Sequence, residues 1–96
     1  GGDGIQALVP MPNPMRRGRS MLRLALSRPA EDLEIRAYSA ALTLVGEASF
    51  HGPFAAGQVT LLVDSQAWPT GALYLQARIP GQGALGQKLR RSYLLP

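Results

Sequence analysis

The chain contains no cysteine and a single histidine, and each shortage removes a class of chemistry. Without cysteine it forms neither a disulfide bond nor a thiolate-ligated metal site. With His51 as the only imidazole, a cluster of histidine ligands is excluded as well. A domain of 96 residues must then be held together by packing, and it is long enough to bury roughly 60–65% of its unfolded surface.

Aromatic residues are also scarce, at 6% of the chain, and no apolar run reaches the ~20 residues of a membrane-spanning helix. The net charge is +4 and comes mainly from arginines in segments 16–28 and 88–91. Such clusters can attract phosphates, but proteins that read nucleic acids usually place aromatic residues among the basic ones. Segment 16–28 contains none. We therefore expect no nucleic-acid partner and no membrane span.

Glycine and proline are abundant, with 11 and 8 residues, and they separate short segments in which apolar and polar residues alternate. Alternation is clearest in segments 33–37, 59–63 and 73–79. A period of two indicates half-buried strands, and turns every 8–12 residues or so are typical of a sandwich. The sequence predicts an all-β fold, an Ig-like antiparallel β-sandwich of about seven strands. A helix over residues 36–48, which are rich in alanine and leucine, is the alternative.

The predicted domain covers residues 9–96, and residues 1–8 are interpreted as a linker or a first edge strand. Segment 10–14 holds three prolines, so it should be extended and lie at an edge. Because the chain opens on Gly1, we expect it to be processed or cut from a longer protein. The predicted core comprises Leu24, Leu33, Ile35, Leu61, Leu73 and Leu75.

No pattern in the chain points to catalysis or to a cofactor. Serine, histidine and acidic residues are present, but Ser49 and Ser65 fall at a strand end and in a loop, without a glycine-flanked nucleophile elbow. The acidic segment 31–34 lacks the alternating oxygen ligands of a calcium loop. The glycines of segment 81–86 join two strands and do not open a helix. We expect no enzymatic activity, no metal and no cofactor.

The few aromatic residues leave two interpretations open. Trp68 together with Tyr38, Tyr74 and Tyr93 would form a platform for carbohydrate if the rings lay coplanar and exposed. The alternative is that Trp68 fills one end of the sandwich, where an indole supplies a large apolar surface. The two are distinguished by whether Trp68 is exposed beside a tyrosine.

The order of several short motifs resembles a known family. The motifs are Pro12-Asn13-Pro14, a strand that ends at Tyr38 before a turn, Gly71 leading into Leu73-Tyr74, and Lys88 before a closing apolar strand. This order resembles the C-terminal Ig-like domains that serve as type IX secretion sorting tails, and the related Ig-like domain of flagellar hook-capping proteins. The resemblance covers roughly residues 9–96. The chain departs from it at Met15, where the family has an aromatic residue, and at Ala41-Leu42, where it has glycine.

The resemblance implies that the chain is the C-terminal domain of a larger protein, a non-catalytic sorting or interaction module of a secreted or cell-surface bacterial protein. Its partner would be the secretion or surface-attachment machinery, or the upstream domain of the same chain. The alternatives are a structural spacer or assembly domain, as in hook caps, and a carbohydrate-binding accessory domain. The last strand should carry recognition, because an edge strand offers free backbone groups and its charges, expected to be exposed, select the partner. The predicted partner-binding residues are Lys88, Arg90, Arg91, Tyr93, Leu94 and Leu95.

Overall fold

A computed structural model describes residues 4–96, and almost all of them lie in strands or tight turns. The strands are β1 (Ile5–Met11), β2 (Met15–Arg16), β3 (Arg19–Leu26), β4 (Ala30–Ser39), β5 (Leu44–Phe54), β6 (Gly57–Asp64), β7 (Gly71–Arg78) and β8 (Gln87–Leu95). One 3₁₀ turn, Gly83–Gly86, precedes β8, and no α-helix occurs between residues 4 and 96. The all-β prediction is confirmed. The helical alternative for residues 36–48 is wrong, since β4 and β5 form a hairpin there.

The strands form two sheets that pack face to face as a sandwich. The smaller sheet has the order β1-β3-β6, and the larger sheet has the order β2-β8-β7-β4-β5. These orders match the A-B-E and G-F-C-C′ arrangement of an immunoglobulin domain. Every pairing is antiparallel except that of β2 with β8. The described chain has eight strands, rather than about seven, because the first strand continues into the second sheet as β2.

The crossing from β1 to β2 takes place at the proline-rich segment. β1 pairs with β3 as far as Met11, and β2 resumes at Met15 beside β8. Pro12 and Pro14 have no backbone N–H to give to a ladder, so the pairing with β3 ends where they begin. The segment joins the two sheets at one edge, as its prolines led us to expect. The expected extended path is wrong for residues 12–14, which bend because the chain passes from one sheet to the other there.

The core lies between the two sheets and draws on both. The six core side chains predicted from the alternation are all buried, with at most 4% exposure. Met15, at the position where the sorting tails that the sequence resembles have an aromatic residue, is fully buried too. Further buried apolar side chains are Ile5, Leu8, Leu22, Leu26, Val63, Trp68, Ile79 and Leu94.

Trp68 fills the end of the sandwich near the start of β5. It is 4% exposed and lies directly over Gly46, where an added Cβ would collide with the indole ring. Gly46 pairs with Ala37 of β4, and both positions face the core. The absence of a side chain at Gly46 therefore makes the space that the indole occupies. The interpretation of Trp68 as the residue that fills one end is confirmed.

Two buried serines tie the turn before β3 to the loop after β6. The Oγ atoms of Ser20 and Ser65 are 2.9 Å apart. Ser20 Oγ also lies 3.0 Å from the carbonyl oxygen of Arg16, and Ser65 Oγ lies 2.9 Å from that of Gly18. Both hydroxyls are engaged in holding loops together, as buried hydroxyls usually are. Ser65 is therefore a structural residue in this fold.

The complete burial of Ile35 and Leu75 predicts that truncating them destabilises the fold. Replacing Ile35 or Leu75 by alanine should lower the free energy of unfolding by about 2–5 kcal/mol, because each leaves a cavity between the sheets. Urea denaturation followed by circular dichroism measures the change. Leu62→Ala is the matched control, since Leu62 is 58% exposed and should change stability by less than about 1 kcal/mol. Equal effects at buried and exposed positions would contradict this core.

The contact of Trp68 with Gly46 gives a second stability prediction. Gly46→Ala should destabilise the fold by about 1–3 kcal/mol, because the indole must move to admit a methyl group. The displaced ring should show red-shifted tryptophan fluorescence. In a Trp68→Phe background, Gly46→Ala should lower the free energy of unfolding by a smaller amount. A double-mutant cycle of the two substitutions measures this coupling energy. A coupling energy near zero would show that the indole and Gly46 are independent.

Candidate partner-binding surface

The last strand, β8, lies next to the edge of the larger sheet and is unpaired along most of one side. It pairs with β7 without interruption from Gln87 to Leu94. On its other side only β2 pairs with it, at Leu94 and Leu95, where Arg17 N also donates to Leu95 O at 3.1 Å. No strand of the described chain pairs with that side of segment 87–93. The structure thus has the open strand edge expected from the sequence. The open part excludes Leu94 and Leu95, because β2 pairs with β8 there.

The predicted partner-binding residues divide between the two faces of β8, because successive side chains in a strand point to opposite faces. Lys88, Arg90 and Leu94 are on the face that carries the core residues of β7. Arg91 and Tyr93 are on the outer face of the larger sheet, together with the half-buried Leu95. The six residues therefore do not form one continuous surface.

Arg90 and Leu94 take part in holding the sandwich together. Arg90 is half-buried, and its Nη1 donates to the carbonyl oxygen of Leu8 in β1 at 3.4 Å, which bridges the two sheets. Leu94 has no exposed surface and pairs with the equally buried Met15. Lys88 and Arg91 are exposed as expected. The expectation that all three basic side chains are exposed is wrong for Arg90, because its inward register puts it against β1.

The outer face of the larger sheet carries an apolar pocket that sequence reasoning did not identify. Tyr38 of β4 and Tyr74 of β7 pair across neighbouring strands. Together with Leu42 and Leu89 they line an open and almost wholly apolar pocket of about 400 Å³. Leu42 and Leu89 are 70% and 62% exposed, which is high for leucine. The sequence alone did not indicate that these residues meet. Leu89 faces outward because of the register of β8 against β7, and that register is not specified by the local sequence pattern.

Leu42 has an unusual backbone conformation. Its φ angle is +64°, and it is the only residue other than glycine with a positive φ in the described chain. The turn is hydrogen bonded: Leu42 N donates to Ser39 O at 2.8 Å, and Ser39 N donates to Thr43 O at 2.9 Å. Leucine thus forms a left-handed turn where the resembled sorting tails have glycine, and leucine adopts this region only at a conformational cost.

Charge is distributed unevenly over this outer face. This face holds the ion pairs of Glu34 with Arg78 at 3.3 Å and of Glu47 with Arg36 at 3.9 Å. At its far end, His51 Nδ1 lies 2.9 Å from Asp32 Oδ1. Arg91 lies beside the pocket, directly opposite Tyr74, and makes no ion pair within residues 4–96. The arginines of β4 and β7 on this face are therefore paired with glutamates, and Arg91 beside the pocket is left with an unpaired positive charge within the described chain.

The other chemical hypotheses can be placed on the same structure. Trp68 is buried, so it does not form an exposed platform with a tyrosine. The described residues contain no group of three or more histidine and acidic side chains that could hold a metal ion. The imidazole of His51 contacts Asp32 on an open surface, with 87% of its side chain exposed. No helix within residues 4–96 is long and apolar enough to cross a membrane.

Comparisons with known proteins show the fold and no family. No family model and no curated protein matches the chain. The fold is similar to part of the crystal structure of dimeric latent PorU from Porphyromonas gingivalis, with a TM-score of 0.65 and 17% sequence identity. The similarity covers 92% of this chain and 9% of the PorU chain. At this identity the likeness shows the fold alone, as a domain-sized part of a much longer chain.

The two arginines of β8 should differ sharply in their effect on stability. Arg90→Glu should destabilise the fold by about 1–3 kcal/mol, because it places a carboxylate against the carbonyl oxygen of Leu8. Arg91→Glu should change stability by less than about 0.5 kcal/mol, since Arg91 is exposed. Thermal and urea denaturation of the two variants measure this difference. Equal stability of both would mean that Arg90 does not bridge the sheets.

Proposed function

We propose that the chain is a non-catalytic sorting or interaction module at the C-terminal end of a secreted or cell-surface bacterial protein. It docks to secretion or surface-attachment machinery through β8. Two findings support the proposal: the motif order resembles type IX sorting tails, and the fold is similar to part of PorU, a type IX secretion protein. The observation that carries it is the unpaired side of β8 from Gln87 to Tyr93.

The proposed mode of docking is addition of a partner strand to this edge. Backbone N–H and C=O groups on the free side of β8 supply the affinity, as in other complexes formed by strand addition. Because β2 occupies the last two residues, the free stretch covers residues 87–93, roughly 20 Å in length. Lys88 and Arg91 are exposed on its two faces and would favour an acidic partner strand.

A structural spacer is the second candidate, and one observation favours it. The similar part of PorU is 9% of a long chain, which is the setting expected for a domain that only joins others. The carbohydrate-binding alternative loses its main support with the burial of Trp68. The proposal that the module is not an enzyme is supported by the engagement of Ser65 in loop contacts and by the open surroundings of His51.

The sorting proposal predicts that the exposed charges of β8 matter for export but not for folding. The chain is fused behind a reporter enzyme in a bacterium with type IX secretion, and Lys88 and Arg91 are both changed to glutamate. Export should fall at least about tenfold while the melting temperature stays within a few degrees, since exposed charges contribute little to stability. Reporter activity in medium and cell fractions measures export.

A matched control reverses two other exposed arginines, Arg19 and Arg23, on the outer face of the smaller sheet. It changes the net charge by the same amount and should leave export normal. If the β8 variant is stable and exported normally, the sorting proposal is wrong and the spacer becomes the better explanation. If both variants block export equally, the effect is one of overall charge and the role of β8 is again contradicted.

A further inference from the structure

We propose that the pocket between Tyr38, Leu42, Tyr74 and Leu89 binds a protein segment that presents a large apolar side chain next to a carboxylate. The pocket lies on the face of the sheet and not on the edge of β8, so it adds a second recognition element to the module. The inference rests on the proposed function only in that the module binds a protein partner. Three observations support it.

The first observation is the chemistry of the pocket wall. Two tyrosine rings and two leucine side chains supply nearly all of it, and a space of about 400 Å³ is ample for a phenylalanine or leucine side chain. A sugar would bring several hydroxyl groups to a wall that offers them few hydrogen-bond partners, and unpaired polar groups oppose binding. The wall therefore favours an apolar side chain, and a concave apolar site is where such anchors bind.

The second observation is the conformation of Leu42. Glycine would adopt its φ of +64° without strain, and leucine gains no compensating burial there, because 70% of its surface is exposed. The chain thus presents a strained, exposed leucine at the rim of an apolar pocket. Strained backbone of this kind is concentrated at functional sites, and contact with a partner would bury the side chain that the turn exposes.

The third observation is the charge beside the pocket. Arg36 and Arg78 on this face each pair with a glutamate, whereas Arg91 is exposed with no ion pair in the described chain. The chain as a whole carries +4. A carboxylate next to the apolar anchor would satisfy Arg91, whereas a basic group would be repelled. Leu89 and Arg91 are also part of β8, so a strand added to its edge passes close to the pocket.

The test uses defined peptides and the purified chain. The probe is a capped pentapeptide, Gly-Asp-Phe-Asp-Gly, and its two matched controls replace Phe by Ala or both Asp by Lys. Amide chemical shifts of the chain are followed by two-dimensional NMR during titration. We expect the probe to shift the amides of Tyr74, Leu89 and Arg91, and each control peptide to bind at least about tenfold more weakly.

Variants of the pocket make the test specific. Leu42→Gly should raise the melting temperature, because it relieves the left-handed strain, and should weaken probe binding by at least about fivefold. Leu89→Ala should weaken binding of the probe peptide by about tenfold. Arg91→Glu should reverse the preference between the acidic and the basic peptide. Leu62→Ala is the matched control, because it removes an exposed leucine from the outer face of the other sheet and should leave binding unchanged.

Several outcomes would overturn the inference: no binding of the probe, equal binding of the basic peptide, shifts confined to β1, β3 and β6, or unchanged binding by Leu42→Gly. The pocket and the sorting role can fail separately, since peptide binding needs no secretion machinery. If the charge variant of β8 impairs export but the probe peptide does not bind, the pocket inference is wrong and the sorting role stands. If the probe peptide binds but the charge variant is exported normally, the sorting role is wrong and the pocket remains the docking site of a module with another role.

Discussion

The structure depends on how its first strand closes the sandwich against its last strand. With no cysteine to join the sheets, β1 and β2 do so: β1 pairs in the smaller sheet, and β2 continues beside the end of β8 in the larger one. Met15 and Leu94 meet without exposed surface, and Arg90 reaches the carbonyl oxygen of Leu8. Since β2 is only two residues long, this closure leaves the rest of the edge of β8 open.

The same strand therefore serves stability with one face and presents another to solvent. Leu94 joins the core and Arg90 bridges the sheets, whereas Leu89 lines the aromatic pocket and Arg91 lies beside it. Docking at the free edge needs no change in the core, because the backbone groups on that side are unpaired in the described chain. Within nine residues, β8 thus combines side chains that hold the sandwich together with exposed side chains and a free backbone edge.

Much of the fold was predictable because a half-buried strand has a period of two. Alternation alone placed Leu33, Ile35 and Leu75 in the core, and the prolines of segment 10–14 marked the edge. The apolar pocket was not predictable, since it joins residues from three strands and one turn. The inward register of Arg90 was missed for a related reason. Its partner, Leu8, lies 82 residues away in the chain.

The sequence by itself determined the class of the fold and the lack of thiol and histidine-cluster chemistry, because these follow from composition and local period. Within residues 4–96, tertiary structure alone decided which part of β8 is unpaired, that leucine forms the left-handed turn at Leu42, and that Arg91 beside the pocket has no ion pair. The physical reason is that strand register and sheet order come from long-range packing. Local pattern restricts them but does not specify them.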